Sequence, residues 1–254
     1  MMLRTVILAA GKGTRMKSDL VKVLHPLYGK PLLGYVVEVA RSAGSQDISI
    51  IVGYQADVVR DKFRDWGLHF IEQREQLGTG HAVLQARERF ANYTGAILIL
   101  CGDVPLLQAS TLRSLWACHR KEKTAVTILT TILADATGYG RIVKQPDGMV
   151  SRIVEERDAT ESEKKIKEIN AGIYCVNSDF LFDALGKINN ENAQQEYYLT
   201  DIIAIAHKSG DGVGSLIADD HREVMGINTP EDLRDAHCYL EKMKSPRGLF
   251  DENR

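Results

Sequence analysis

A glycine-rich segment with basic side chains follows the first apolar run of the chain. The run Val6–Ala10 leads into Gly11 and Gly13, Arg15 follows two residues later, and Lys22 lies further along. Glycines let backbone N–H groups approach an anion, arginine binds phosphate oxygens through two N–H groups, and lysine adds a point charge. A simple tight turn would also explain the glycines. The position directly after a buried strand, with basic residues close by, favours a phosphate-binding loop.

The same segment excludes two common nucleotide-binding motifs. The chain contains no G-x-x-x-x-G-K-[ST] sequence, so the loop is not a Walker A loop. Met16 stands where the third glycine of G-x-G-x-x-G would be, which disfavours a dinucleotide-binding enzyme. The predicted ligand is therefore a phosphate-bearing molecule that neither motif describes.

A second polar group, Gln73 with the segment QLGTGHA, follows the third predicted strand. The side-chain amide of Gln73 has a donor and an acceptor, which suits the edge of a base such as uracil. Gly78 and Gly80 would let backbone amides approach the base or the ribose. Thr79 is also expected to cap the next helix. His81 is interpreted as a packing residue at the start of that helix and is given no role.

A carboxylate stands at the end of the most apolar predicted strand. The run Ala96–Leu100 is followed by Cys101, Gly102 and Asp103. An acidic side chain at this edge, close to phosphates, needs a cation, and Mg²⁺ bound by a carboxylate and phosphate oxygens is the usual solution. A turn aspartate before a proline is the alternative. The strand context favours a magnesium ligand.

Strands and helices alternate through the first half of the chain. The strands are predicted at Thr5–Ala9, Ile48–Val52, Leu68–Ile71 and Ala96–Leu100, and the helices at Gly34–Ser42, Gln55–Trp66, Gly80–Phe90 and Ser110–His119. This order predicts an open parallel sheet covered by helices on both faces. Ligands bind beyond the carboxyl ends of such strands, so the loops after Ala9, Ile71 and Leu100 should meet.

The second half predicts a β-rich insertion in the same α/β unit. Its strands are predicted at Ala125–Leu133, Ile169–Val176, Ser215–Ile217 and Glu223–Gly226, with a hairpin over Gly140–Glu156 and helices over Ser178–Gly186, Tyr197–Lys208 and from Thr229 onward. The last helix has a threonine cap and a proline at its first position. We predict one domain over residues 1–244 and a C-terminal tail over 245–254.

Charge and cysteine usage exclude several classes of partner. The net charge of -2 gives no general electrostatic reason to bind nucleic acid or an acidic membrane. The four cysteines form no C-x-x-C pair, which is typical of reduced thiols in a cytosolic protein. No apolar stretch approaches the roughly 18 residues of a membrane span. The predicted location is therefore the cytoplasm.

Seven motifs in sequence order carry a resemblance to one family. They are LAAGKGTRM, QLGTGHA, CGDVPL, TGYGRI, IVEERDAT, INAGIY and EYYLTDI. Together they resemble the N-terminal uridyltransferase domain of the bacterial bifunctional N-acetylglucosamine-1-phosphate uridyltransferases, from about Leu3 to the region of Asn228. LAAGKGTRM belongs to the wider sugar-phosphate nucleotidyltransferase superfamily, whereas QLGTGHA and EYYLTDI together are more specific.

The resemblance implies a fold and a reaction. The fold is a Rossmann-like, glycosyltransferase-A-like α/β nucleotidyltransferase with a mixed, mostly parallel sheet and helices on both faces. The reaction joins UTP and N-acetylglucosamine 1-phosphate into UDP-N-acetylglucosamine and pyrophosphate, with Mg²⁺ as cofactor. The attacking phosphate is already an anion, so the reaction needs positioning and charge neutralisation rather than a base.

The resemblance also assigns residues. The uridine side is matched by Leu8, Ala9, Ala10, Gly11, Gln73, Gly78 and Thr79, with Gly13 in the same nucleotide loop. Arg15 and Lys22 match the catalytic cations that hold the triphosphate, and Asp103 and Asn228 match the magnesium ligands. The sugar side is matched by Cys101, Gly102, Gly140, Glu155 and Asn170, with Asn228 contributing to substrate binding.

Three departures and two alternatives accompany these assignments. Val21 stands where the family usually has proline, and Cys101 stands where it often has tyrosine. The hexapeptide repeats of the family's β-helical acetyltransferase domain do not occur, so acetyl transfer is not expected and the oligomeric state stays open. The alternatives are a related enzyme that uses glucose 1-phosphate or dTTP, and a non-catalytic subunit that binds a sugar nucleotide.

Overall fold

The computed structural model describes residues 3–244. Eleven strands occur in this range: β1 (Leu3–Ala9), β2 (Pro26–Leu27), β3 (Lys30–Pro31), β4 (Ser45–Val52), β5 (His69–Glu72), β6 (Ala96–Cys101), β7 (Val126–Ile132), β8 (Arg141–Lys144), β9 (Val150–Val154), β10 (Glu168–Asn177) and β11 (Val213–Ile217). The α-helices of the same range are α1 (Leu32–Ser42), α2 (Ala56–Lys62), α3 (Thr79–Leu84), α4 (Ala109–Glu122), α5 (Ser178–Leu185), α6 (Asp201–Ser209) and α7 (Pro230–Lys244).

One mixed sheet organises these elements, with the strand order β11-β7-β10-β6-β1-β4-β5. β1 is parallel to β4 and β6, β4 is parallel to β5, and β7 is parallel to β11. β10 runs antiparallel to β6 and β7. The hairpin of β8 and β9 joins the sheet where Arg141 pairs with Ile169. The predicted α/β class, the mostly parallel sheet and the β-rich insertion are confirmed.

The apolar runs form strands that are buried on both faces. In β6, Leu98 and Leu100 pack in the core that includes α1 and α4, while Ile97 and Ile99 pack in the core that includes α3, α5 and α6. All four side chains are fully buried. A strand covered on both faces needs apolar residues at successive positions, which explains why the run AILIL lacks a polar alternation.

Several predicted elements differ from the observed ones. The helix predicted over Tyr197–Lys208 begins at Asp201, because the residues before it pair with the loop that precedes α3. The predicted strand Glu223–Gly226 is wrong: His221–Val224 form a 3₁₀ turn. The carboxylate of Asp220 accepts the N–H of Arg222 at 2.9 Å, which stabilises the start of this turn. The ribbon of β2 and β3 was not predicted.

The start of α7 was predicted correctly. Thr229 Oγ1 accepts the N–H of Asp232 at 3.1 Å, and the Asp232 carboxylate accepts the N–H groups of Asn228 and Thr229. These reciprocal bonds form a capping box that holds Asn228 at the helix start. The predicted tail over 245–254 lies outside the described residues. None of the helices described is both long and apolar enough to span a membrane.

Candidate active site

The carboxyl ends of β1, β5 and β6 surround one cavity of about 300 Å³. The three loops expected to meet there do so, together with the segments around Lys22 and Glu196. The lining residues are Leu8, Ala9, Ala10, Gly11, Lys22, Val23, Gln73, Gln76, Gly78, Thr79, Ala82, Cys101, Asp103 and Glu196. Most residues predicted for the uridine side therefore share this cavity.

The glycine loop after β1 lets the Lys22 segment pack against it. Gly13 adopts φ +66°, and a Cβ at this position would lie 2.5 Å from Cβ of Lys22. The approach of an anion is the reason expected for Gly13 from the sequence, and the structure adds the steric contact with Lys22 as a separate reason. Gly11 differs, because a Cβ there would meet no atom of the described residues within 4 Å.

Two cationic side chains and two side-chain oxygens meet at the edge of the cavity. The ammonium of Lys22 contacts Oδ2 of Asp103 and lies 3.0 Å from Oδ1 of Asn228. Arg15 donates through Nη2 to the same Asn228 oxygen at 2.9 Å. The N–H of Ile227 donates to the carbonyl of Asp103 at 2.9 Å, which ties the loop after β6 to the segment before α7. We call Arg15, Lys22, Asp103 and Asn228 the phosphate-end cluster.

The donor set of this cluster fits a cation that is shared with phosphates. A carboxylate oxygen of Asp103 and an amide oxygen of Asn228 both face the Lys22 ammonium. Within residues 3–244, no group of three or more His, Cys, Asp or Glu side chains could enclose a metal ion. Mg²⁺ takes one or two protein oxygens and completes its shell with substrate phosphates and water. The two donors present suit that mode of binding.

The side of the cavity predicted for the base, around Gln73, Gly78 and Thr79, depends on contacts between backbone segments. We call it the base side. The N–H of Tyr197 donates to the carbonyl of Leu77 at 2.8 Å, and the N–H of Gly80 donates to the carbonyl of Tyr197 at 2.8 Å. Gly78 has φ +112°, and a Cβ there would lie 2.6 Å from the Tyr197 carbonyl oxygen. The N–H of Gly80 is thus committed to the chain itself. These glycines provide space for the backbone of Tyr197, which corrects the role expected for Gly80.

The side chain of Thr79 does not cap α3, so that interpretation is wrong. Gly78 is the residue before the helix, and no side chain caps it. Instead Thr79 Oγ1 accepts the N–H of Leu199 at 3.1 Å. Because this bond uses the oxygen as an acceptor, the hydroxyl hydrogen remains available to a ligand in the cavity.

The residues predicted for the sugar side converge on β8, β9 and β10. The N–H of Asn170 donates to the carbonyl of Gly140 at 2.8 Å. A Cβ on Gly140 would lie 2.9 Å from Cγ2 of Ile153, so the glycine gives that side chain its space, and it would be in ordinary contact, at 3.4 Å, with Oε2 of Glu155. Thr200 donates its hydroxyl to Oε1 of Glu155 at 3.1 Å. Burial raises the pKa of Glu155, and the bond from Thr200 partly opposes that shift.

An irregular point in β10 fixes the side chain of Asn170. The register shifts between Asn170 and Ile173, and Gly172 there has φ +71°. Asn170 Nδ2 donates to the Tyr174 hydroxyl at 2.7 Å, and its Oδ1 accepts the N–H of Gly172 at 3.0 Å. A β-bulge of this kind redirects a side chain next to a site. Asn170 is therefore held in one orientation by its own strand.

Cys101 connects the cavity with this bulge. It lines the cavity and donates its thiol to the carbonyl of Gly172, with Sγ and O separated by 3.4 Å. Burial, followed by the charge of Asp103, raises the pKa of Cys101 to about 12, so its thiol stays neutral at ordinary pH. The adjacent Gly102 has a packing role: its N–H donates to the carbonyl of Leu8 at 2.9 Å, and a Cβ there would lie 3.0 Å from that oxygen.

Some residues of the site were missed by reasoning from sequence. Glu196 lines the cavity, and Tyr197 holds the loop before α3. Both lie within or next to EYYLTDI, a motif noticed only through the family resemblance. No periodicity or spacing connects that motif with QLGTGHA, so only the folded structure shows their contact.

Comparisons with known proteins identify the family and the fold. The family model described as "MobA-like NTP transferase domain" matches residues 5–168. The solved structure "The Crystal Structure of UDP-glucose pyrophosphorylase complexed with UDP-glucose" superposes with a TM-score of 0.79 over 96% of this chain and 100% of that chain. Its sequence identity is 19%, so this similarity concerns the fold.

Curated relatives named "Bifunctional protein GlmU" are much more similar in sequence. The protein from Geobacter metallireducens is 51% identical over 94% of this chain, and that from Pelobacter propionicus is 48% identical over 93%. The chain spans about half the length of these relatives, 51% and 52% respectively. The protein from Desulfotalea psychrophila is 48% identical, and the chain covers 68% of it. The chain therefore belongs to the family of MobA-like NTP transferase domains and corresponds to part of the GlmU proteins.

Proposed function

We propose that this chain transfers the uridylyl group of UTP to N-acetylglucosamine 1-phosphate, forming UDP-N-acetylglucosamine and pyrophosphate. The observation that carries the proposal is the phosphate-end cluster at the edge of a cavity whose other end holds the amide of Gln73. Relatives about half identical to the chain are GlmU proteins, which supports the same reaction.

The cations of the site perform most of the catalysis in this proposal. An oxygen of the sugar phosphate forms a bond to the α-phosphorus of UTP, and the bond from that phosphorus to the bridging oxygen breaks, releasing pyrophosphate. Arg15 and Lys22 neutralise the charge of the triphosphate and of the departing pyrophosphate. No proton must be removed from the attacking phosphate, so the site has no need for a general base. Holding the two anions in line is the other contribution to rate.

Asp103 and Asn228 would hold Mg²⁺ through one oxygen each. Bound there, Mg²⁺ supplies positive charge that offsets the negative charge of the phosphates. Lys22 contacts both oxygens in the free protein, so it has to turn toward the phosphates as they arrive. Arg15 contacts Asn228 and undergoes a similar exchange of partners.

The sugar binds beside Cys101 in this proposal, near Gly140, Glu155 and Asn170. Glu155 is the ionisable group there, and its carboxylate can accept hydrogen bonds from sugar hydroxyls. The carbonyl of Gly140 is already bonded to Asn170, so the pair forms a fixed wall rather than a mobile one. The catalytic domain is proposed to cover residues 1–244. The four cysteines are free thiols, which is typical of proteins in a reducing compartment. The proposed location is therefore the cytoplasm.

A substrate panel tests the proposal. Pyrophosphate release is measured with UTP, CTP and dTTP against N-acetylglucosamine 1-phosphate and glucose 1-phosphate, with and without Mg²⁺. We expect turnover that requires Mg²⁺ and is highest with UTP and N-acetylglucosamine 1-phosphate. Faster turnover with dTTP or glucose 1-phosphate would instead support the related enzyme that uses those substrates. Binding of UDP-N-acetylglucosamine without turnover would support a non-catalytic subunit.

A further inference from the structure

The side-chain amide of Gln73 is held in one orientation. Gln73 is 3% exposed and lines the cavity. Its Nε2 donates to the carbonyl of Gly78 at 3.1 Å and lies 3.0 Å from Nδ1 of His81. A primary amide has two N–H groups, so these contacts commit both of them. The oxygen Oε1 has no hydrogen-bond partner among residues 3–244 and remains for a ligand.

The contact with His81 requires a particular form of the imidazole. A neutral imidazole has one acceptor nitrogen and one N–H group. Because the Gln73 nitrogen is a donor, the acceptor is Nδ1 and the ring hydrogen is on Nε2. The nitrogen of the Gln85 amide lies 3.1 Å from Nε2 and donates to the His81 carbonyl at 3.0 Å. Because Gln85 is half-buried whereas Gln73 is buried, Gln85 is the side chain that can turn away from the ring hydrogen.

We propose that His81 is a positioning residue for nucleotide selection: it keeps Oε1 of Gln73 toward the cavity and so favours a pyrimidine whose ring N3 carries a hydrogen. This inference rests on the proposed function, because it concerns the base of the nucleotide bound at that site. Uracil has a hydrogen on N3, whereas N3 of cytosine is an acceptor. Oε1 of Gln73 can accept the N3 hydrogen of uracil, whereas N3 of cytosine is itself an acceptor and is repelled by Oε1.

Two neighbouring groups oppose the reversed amide. If the Gln73 amide turned over, Oε1 would face the carbonyl of Gly78, which cannot donate to it, and Nδ1 of His81, which could donate only in the other tautomer of the ring. The Gly78 carbonyl is fixed by the backbone, so the second acceptor is the part that a substitution can remove. His81 also lies near Tyr197, with ring centroids 6.4 Å apart, so the packing role expected from sequence accounts for only part of its contacts.

The decisive experiment compares His81→Leu with His81→Asn. Leucine removes the acceptor, whereas asparagine can place its side-chain oxygen near the position of Nδ1. Calorimetric titration with UDP and with CDP, both with Mg²⁺, gives a ratio of affinities that does not depend on turnover. We expect the ratio to fall about tenfold in His81→Leu, in line with the loss of one hydrogen bond in a buried site, and to stay within about twofold of wild type in His81→Asn.

The outcomes separate this inference from the proposed function. An unchanged ratio in His81→Leu, or equal losses of UDP and CDP affinity, would show that His81 only supports packing and would overturn the inference. A ratio in His81→Asn as low as in His81→Leu would also overturn it, because the acceptor would then be irrelevant. Wild-type protein that prefers UDP but releases no pyrophosphate from UTP and N-acetylglucosamine 1-phosphate would contradict the proposed function alone.

Discussion

The two ends of the cavity are built in different ways. At the base side, backbone groups of Leu77 and Gly80 bond to Tyr197, and glycine is required for that approach. At the phosphate-end cluster, Lys22 bonds through its charged side chain to Asp103 and Asn228. Backbone contacts between packed segments form a fixed surface, whereas side-chain ion pairs can exchange partners. The fixed end suits selection of a base, and the exchangeable end suits binding of phosphates and a cation.

The largest effect is expected at Asp103. Asp103→Asn removes the only carboxylate of the phosphate-end cluster and leaves the Lys22 ammonium without its ion pair. We expect kcat to fall about 10³-fold, because charge neutralisation by a metal supplies several kcal/mol of catalysis. Steady-state kinetics at saturating Mg²⁺ gives the value. The matched control is Asp65→Asn, an exposed carboxylate. A kcat within tenfold of wild type would remove Asp103 from the mechanism.

The fixed end is tested by adding one carbon atom. In Gly78→Ala the new Cβ collides with the Tyr197 backbone at 2.6 Å and the residue keeps φ +112°. We expect the free energy of unfolding to fall by about 3 kcal/mol, from strained backbone and overpacking combined. Urea denaturation measures it.

Gly67→Ala is a control with no steric contact, in the left-handed region (ψ 45°) rather than at the ψ of 173° that Gly78 adopts. Gly67 also has positive φ, +61°, but a Cβ there would meet no atom of the described residues within 4 Å. Its expected loss is about 1 kcal/mol, from the backbone conformation alone. Equal losses at Gly67 and Gly78 would mean that the contact with Tyr197 is not a rigid one.

A substitution of Arg15 tests the phosphate-end cluster, which is the exchangeable end of the cavity. Arg15→Gln removes a cation that contacts Asn228 in the free protein. We expect kcat/KM for UTP to fall about 10²-fold, the usual effect of losing one donor to developing charge, with KM for the sugar phosphate nearly unchanged. Lys17→Gln, at an exposed position two residues further along, is the control. Parallel losses for both substrates would argue for a general structural role of Arg15.

The smallest effect concerns Glu155 and pH. Burial raises the pKa of Glu155 above its ordinary 4.5, so the folded protein retains a proton that the unfolded chain releases. Wild type therefore loses stability as pH rises from about 4.5 through the raised pKa. Glu155→Gln does not titrate, so its Tm relative to wild type should rise as the pH increases above about 4.5. A Tm difference that is constant over this range would show that Glu155 titrates normally.

Much of the fold and of the cavity could be predicted from the sequence. Apolar runs such as Ala96–Leu100 indicate strands that are covered on both faces, and polar residues directly after them must lie at the ligand edge of the sheet. This reasoning correctly predicted that the glycine loop, Gln73 and Asp103 share one place. It depends only on local pattern and on the rule for parallel sheets.

What could not be predicted are contacts between segments far apart in the chain. The bond from Leu199 to Thr79 joins residues 120 positions apart. Neither the motif EYYLTDI nor the motif QLGTGHA contains a pattern that predicts contact with the other. A helix cap is the common local use of a threonine at this position, which is why the sequence predicts one at Thr79. The contact of His81 with Gln73 spans only eight positions, but it depends on the path of the loop between them, which the sequence pattern does not specify.

The central strand β6 holds one part of the site in the region that unfolds last. It is flanked by β1 and β10 and its side chains are buried on both faces, so its amide hydrogens should exchange with solvent only when the whole domain unfolds. Asp103 follows that strand by two residues. The carboxylate is thus attached to the slowest-exchanging part of the molecule, while Arg15, exposed on the glycine loop, belongs to the faster-exchanging part. Local opening would therefore release the arginine long before it disturbs the carboxylate.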